Sequence, residues 1–356
     1  MSDTPVAPPQ TSIGTSSRSA ANWGMVGHEW AVDMLRAHIR EGRPRHAYLI
    51  TGPRGVGRRT LAWRLVQALS CTQASAPGEA CNECPACKLA LARRHPDVIE
   101  IQALTDVKGT GIPMEGGILK VEQIRELRRI MHLHPTSSQY RFGMLLRFHE
   151  ANESAANALL KTLEEPSPHA LLILTADDAE QLLPTIISRC DVLRLRLLPV
   201  DVVAADLRAR GLDAPRAQML AHLSGGRPGY ARRLAEEPHL LEIREARLND
   251  LQMLLPATRA AKFAYADGLS KEKEGLRATF LLWLSFWRDV LLRASHADTP
   301  IVNLDRAAEI DALAVRLGLG GARRMVQRHE RALDQLERNV NARLLTEVLL
   351  LDCPVP

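Results

Sequence analysis

Up to about residue 195, two hydrophobic patterns alternate along the chain. In one, apolar residues return at helical spacing: Val32, Leu35 and Ile39; Leu61, Leu65 and Leu69 in TLAWRLVQALSC; Val121, Ile124, Leu127 and Met131 in LKVEQIRELRRIM. Residues three and four apart share one face of a helix, so each set predicts an amphipathic helix. The other pattern is a short, nearly solid apolar run: HAYLI (His46–Ile50), the end of HPDVIEI (His95–Ile101), FGMLLRF and ALLILTA. Parallel strands read this way because helices cover both faces of their sheet. Between the last two runs, SAANALLKTLEEP predicts a helix stopped by Pro166, whose ring cannot continue it. The Gly-rich stretch Thr105–Gly117 reads as a loop. Strand and helix in alternation predict a three-layer α/β domain with a parallel sheet.

Beyond Pro199 the strand pattern stops. VDVVAADLRARG, APRAQMLAHLSGG and RPGYARRLAEE predict three short helices punctuated by Gly and Pro. From about residue 241 the helical stretches lengthen, as in ATFLLWLSFWRDVLLRA and RRMVQRHERALDQLERNVNARLLTEVLLL, and no internal repeat is visible. The first residues, MSDTPVAPPQTSIGTSSRSA, are rich in Ser, Thr and Pro and lack the apolar core of a secretory signal. Residues 1–22 are therefore expected to form a disordered tail.

Composition narrows the class. The chain has 356 residues, 46% of them hydrophobic and 24% charged, which suits a soluble globular protein of two or three domains. No apolar run approaches the ~18 residues of a membrane span, so no membrane partner is expected. The net charge of +5 is compatible with a phosphate-rich partner without requiring one. Without a signal sequence the expected location is cytoplasmic and reducing, where disulfides are not favoured.

Two motifs carry candidate chemistry. GPRGVGRRT, Gly52 to Thr60, follows a predicted strand and opens a predicted helix, the setting of a phosphate-binding loop. Gly52, Gly55 and Gly57 supply bare backbone, but Arg58 stands where the loop's lysine belongs and Arg59 where its hydroxyl belongs. The second motif is CTQASAPGEACNECPAC, with Cys71, Cys81, Cys84 and Cys87. Four thiolates from two short turns suit a tetrahedral, closed, structural zinc site (Zn2+). Cys190 and Cys353 have no partner at metal spacing.

NALLKTLEEP (Asn157–Pro166), LLPTIISRC (Leu182–Cys190), VEQIREL, WRDVLL and LERNVNARLLTEVLLL, together with the loop and its cysteine insertion, resemble the clamp-loader subunits of bacterial DNA polymerase III, of the AAA+ class. The likeness runs from about Trp23 to the end. It implies an AAA+ core over 23–198 with the zinc insertion at about 71–87. It further implies a three-helix lid over 199–240 and a helical collar over 241–356 that joins five subunits in a hetero-pentameric ring. The expected partners are delta and gamma/tau subunits, the sliding clamp and, through the complex, primed DNA.

The resemblance also assigns roles. In such proteins the loop lysine bridges phosphates and the next hydroxyl holds Mg2+. Arg58 keeps the charge in a different shape, and Arg59 cannot hold the metal. The family's acidic pair falls on Leu146 and Arg147 when counted back from Asn157, with Glu150 nearby. ATP hydrolysis at this site is therefore not expected. Weak nucleotide binding through Gly52, Gly55, Gly57 and Arg58 stays open, beside a glycine turn with no phosphate role. Ser188, Arg189 and Cys190 are intact, and the resemblance makes Arg189 a finger directed at a neighbour's ATP. Arg227 falls on the lid arginine that touches nucleotide, with a capping or interface role equally open. These features imply a non-hydrolysing member of the delta-prime kind. The alternative is an ATP-hydrolysing gamma/tau-type subunit.

Overall fold

The computed structural model describes residues 22–354 apart from 107–112, 116, 272 and 339. The chain divides into two compact units, one ending at Leu198 and the other beginning at Pro199.

The first unit contains α1 (Glu29–Arg40), β1 (Ala47–Thr51), α2 (Arg58–Ser70), α3 (Pro85–Leu91), β2 (Val98–Ile101), β3 (Leu104–Asp106) and β4 (Pro113–Glu115). It continues through α4 (Val121–Met131), β5 (Arg141–Leu145), α5 (Glu153–Glu164), β6 (Ala170–Ala176), α6 (Pro184–Ile187) and β7 (Asp191–Arg194). Five strands form a sheet in the order β2-β5-β6-β1-β7, and every pairing in it is parallel. Successive residues of a strand face opposite sides, so β1 feeds two cores. Tyr48 and Ile50 pack with Leu35, Leu61 and Leu65. Leu49 packs with Leu127, Leu159 and Leu163 on the other face. The solid apolar runs follow from this double coverage.

Two readings of the sequence are corrected. The stretch expected as a loop carries an antiparallel hairpin, with Leu104 paired to Glu115 and Asp106 to Pro113. Its Gly-rich middle lies largely outside the described residues. Its flanks pair through backbone, which leaves no side-chain periodicity to read. The edge strand β7 was not anticipated either. Its four residues begin with Asp and end with Arg, and only Leu193 is fully buried.

The second unit is helical: α7 (Val200–Ala209), α8 (Ala214–Ser224), α9 (Pro228–Glu236), α10 (His239–Leu254), α11 (Arg259–Ser270), α12 (Lys273–Ala294), α13 (Ala307–Glu337) and α14 (Ala342–Leu351). Trp283, Phe286 and Trp287 of α12 pack against Leu313 and Met325 of α13 and Leu349 of α14. Helix α13 kinks at Gly318, whose φ of 58° lies in the left-handed region. Asp289 of the WRDVLL segment is buried and accepts the N–H groups of Val302 and Asn303 at 3.1 and 2.7 Å. That carboxylate pins the connection between α12 and α13.

Candidate functional site

The cysteine insertion begins where α2 ends. Cys71 caps that helix in extended conformation, and Cys84 caps the start of α3, with Pro85 favoring the helical turn. The four sulfurs lie within 4.8 Å of one another, and Cys81 and Cys87 Sγ are 3.9 Å apart. Ligands ~2.3 Å from a tetrahedral zinc stand about 3.8 Å apart, so the set fits that ion. Backbone amides point at the sulfurs: Cys81 N to Cys71 Sγ, Cys84 N to Cys81 Sγ and Cys87 N to Cys84 Sγ, at 3.3, 3.2 and 3.4 Å. Such donors stabilise thiolates. At Cys84 burial works upward, yet the N–H groups of Cys87 and Thr72 prevail and bring it down to about 6. With four protein ligands no coordination position stays open, so the ion would brace the insertion without reacting. Burial drives Cys190 and Cys353 up to about 12, keeping both as neutral thiols.

The glycine loop joins β1 to α2 at the carboxyl end of the sheet, where open α/β sheets place their ligands. Gly52, Gly55 and Gly57 have φ of 136°, 87° and 122°. A Cβ on Gly52 would stand 2.3 Å from the Leu195 carbonyl oxygen. Packing against the Leu195 carbonyl therefore requires glycine at position 52. Arg58 and Arg59 occupy the first turn of α2, where the helix dipole favours anions. Each is held by a carboxylate. Arg58 is 8% exposed and its Nη2 lies 2.7 Å from Asp177 Oδ1, just past β6. Burial lowers its pKa and Asp177 opposes that. Arg59 forks onto Glu100 of β2, donating from Nε at 3.1 Å, and Trp63 Nε1 donates to the same carboxylate at 2.9 Å.

At the end of β5, Leu146 is buried and Arg147 donates its backbone N–H to Thr175 Oγ1 at 2.9 Å. Glu150 is ion-paired with Arg147. The two positions onto which the resemblance places the family's acidic pair thus hold an apolar side chain and a cation. Asp177 and Glu100 were not singled out from the sequence. Glu100 lies in β2 and Asp177 just past β6, and no local spacing connects them to the loop.

Arg189 follows α6 on the surface. Its Nη2 is 2.8 Å from Glu164 Oε1. Its Nη1 donates to the Thr185 carbonyl at 2.8 Å and to Ser188 Oγ at 3.4 Å. Arg227 lies in the second unit, between α8 and α9. Its Nε donates to the Ser224 carbonyl at 2.6 Å, and its guanidinium stacks 4.6 Å from the Tyr230 ring. It serves there as a cap on the end of α8.

A glycine loop after an inner strand of this parallel sheet, with a helical unit following, defines an AAA+ core. The family model described as DNA polymerase III, delta subunit, matches residues 27–199, and that for its C-terminal region matches 238–353. The chain is 32% identical over 317 residues to DNA polymerase III subunit delta' of Pseudomonas aeruginosa, covering 86% of this chain and 89% of that one. The chain belongs to this family, and its likeness to the delta-prime subunit extends over nearly its whole length. It is also 36% identical over 166 residues to the tau subunit of Bacillus subtilis, covering 47% of this chain and 27% of that one. The gamma/tau subunit of Mycobacterium tuberculosis is 35% identical over 187 residues, 51% of this chain and 30% of its own length. Among the described residues no helix is long and apolar enough to cross a membrane.

Proposed function

We propose that the chain is a non-hydrolysing member of a cytoplasmic clamp-loader ring. It lends Arg189 to the ATP of an adjacent gamma/tau-type subunit. The observation carrying this reading is the contrast between the two arginine sites. Arg58 is turned inward to Asp177 in a loop without metal-holding groups. Arg189 stands at the surface on a motif that is whole. A phosphate-binding loop works by offering amide N–H groups and a cation to an oxyanion, with Mg2+ held by a hydroxyl and a carboxylate. Here the cation is neutralised within the protein and the hydroxyl position is Arg59. An arginine supplied in trans needs none of these parts, only a surface placement and a neighbour with nucleotide.

In this reading residues 199–240 act as the lid and 241–356 as the collar through which delta and gamma/tau subunits join, five to a ring. The ring acts on the sliding clamp and primed DNA. Cys71, Cys81, Cys84 and Cys87 hold a structural zinc. Arg227 braces the lid. Purified alone, the chain should turn over no ATP above background. Turnover at rates typical of ATPase subunits, abolished by Arg58→Ala, would contradict the proposal and favour the hydrolysing gamma/tau-type alternative.

A further inference from the structure

Glu164 ends helix α5, and Glu165 follows as its cap. Backbone carbonyls make that helix end partially negative, so two carboxylates there are electrostatically misplaced. The last turn carries one cation, Lys161, against these two carboxylates. Glu164 is compensated from outside the helix, because its Oε1 meets Arg189 Nη2 at 2.8 Å. The same guanidinium is steadied through Nη1 by the Thr185 carbonyl at 2.8 Å. These contacts use the Nη groups, and the Nε–H has no partner among the described residues. Both side chains are accessible, Arg189 at 35% and Glu164 at 48%.

We propose that Glu164 is a latch in cis on the finger. Resting on the finger reading above, Glu164 competes with the neighbour's phosphate for the Arg189 guanidinium. A carboxylate and a phosphate oxyanion are alternative partners for the same planar donor. An exposed ion pair is weak, so a closely docked polyphosphate displaces Glu164, whereas a loosely docked one does not. The latch therefore restrains the neighbour's ATPase when clamp and DNA are absent. It yields when they bring the interface together.

The test is steady-state ATPase of the complex reconstituted from full-length delta-type, gamma-type and sliding-clamp proteins with this chain. The chain is supplied as wild type, Glu164→Gln, Arg189→Ala and the double variant. Assembly is checked by gel filtration and folding by thermal melting. Glu164→Gln keeps the size of the side chain and removes its charge. It should raise the basal rate about two- to fivefold and leave the rate with clamp and primed DNA within about twofold. The double variant should match Arg189→Ala in both conditions, which shows that Glu164 acts through Arg189, while the rise in the basal rate is what loss of a merely structural contact would not produce. If Arg189→Ala lowers the stimulated rate while Glu164→Gln leaves the basal rate unchanged or lowers it, the latch is wrong and the finger stands. If Arg189→Ala changes no rate, the finger reading itself fails.

Discussion

Arg58 and Arg59 sit in the first turn of α2, the place where a helix prefers an anion. Asp177 and Glu100 make that tolerable by bringing carboxylates to each guanidinium. Asp177→Asn should leave Arg58 buried beside other cations. Because Asp177 is 39% exposed, the loss should be moderate, about 1–2 kcal/mol, read by urea unfolding. No nucleotide turnover should appear in that variant, since the metal-holding groups remain missing. Cys84 is the second informative residue. Cys84→Ser should lower zinc content from about one ion per chain and loosen the insertion, because a closed thiolate site contributes folding free energy. The sheet should survive. Elemental analysis showing undiminished zinc would remove Cys84 from the ligand set. The cysteine spacing was legible in the sequence because its ligands are close neighbours in the chain. The Arg58–Asp177 and Glu164–Arg189 pairs were not, since each joins segments that only the sheet brings together.

At the scale of elements, the glycine loop is a part of the sheet's packing. Gly52 approaches the backbone after β7 so closely that a methyl group would strike the Leu195 oxygen. Its φ of 136° is also strained for any other residue. Gly52→Ala should therefore destabilise the first unit by about 2–4 kcal/mol with or without nucleotide. Chemical denaturation would measure it, and a neutral result would mean that the loop moves freely relative to β7. Gly52 is thus required by the packing of the sheet independently of any phosphate chemistry. The strands buried on both faces were evident from their apolar runs. β7 and the β3–β4 hairpin were hidden because their short backbone pairings impose no such run.

Across the whole molecule, the second unit carries a pH dependence of its own. His329 is buried near Trp283 and Trp287, at ring distances of 6.5 and 6.2 Å, and burial lowers its pKa to about 4. Unfolded, it would titrate near 6.5. Between these values the unfolded chain binds the proton and the folded chain does not, so stability falls as pH drops through this window, by up to about 1.4 kcal/mol per pH unit. Thermal melts of wild type and His329→Leu from pH 4 to 8 should show this slope flattened in the variant. The two units serve the proposed role differently: the first offers a surface arginine and a sealed loop, the second a tightly packed helical body. The most direct measurement is ATPase of the reconstituted ring, stimulated by clamp and primed DNA, with wild-type chain or Arg189→Ala. In the proposed ring the other sites carry fingers of their own, so the variant should lower the rate by about tenfold, less than the ~10³-fold or more that a finger gives at a single site, with assembly intact. Equal rates in an intact ring would contradict the action of Arg189 in trans.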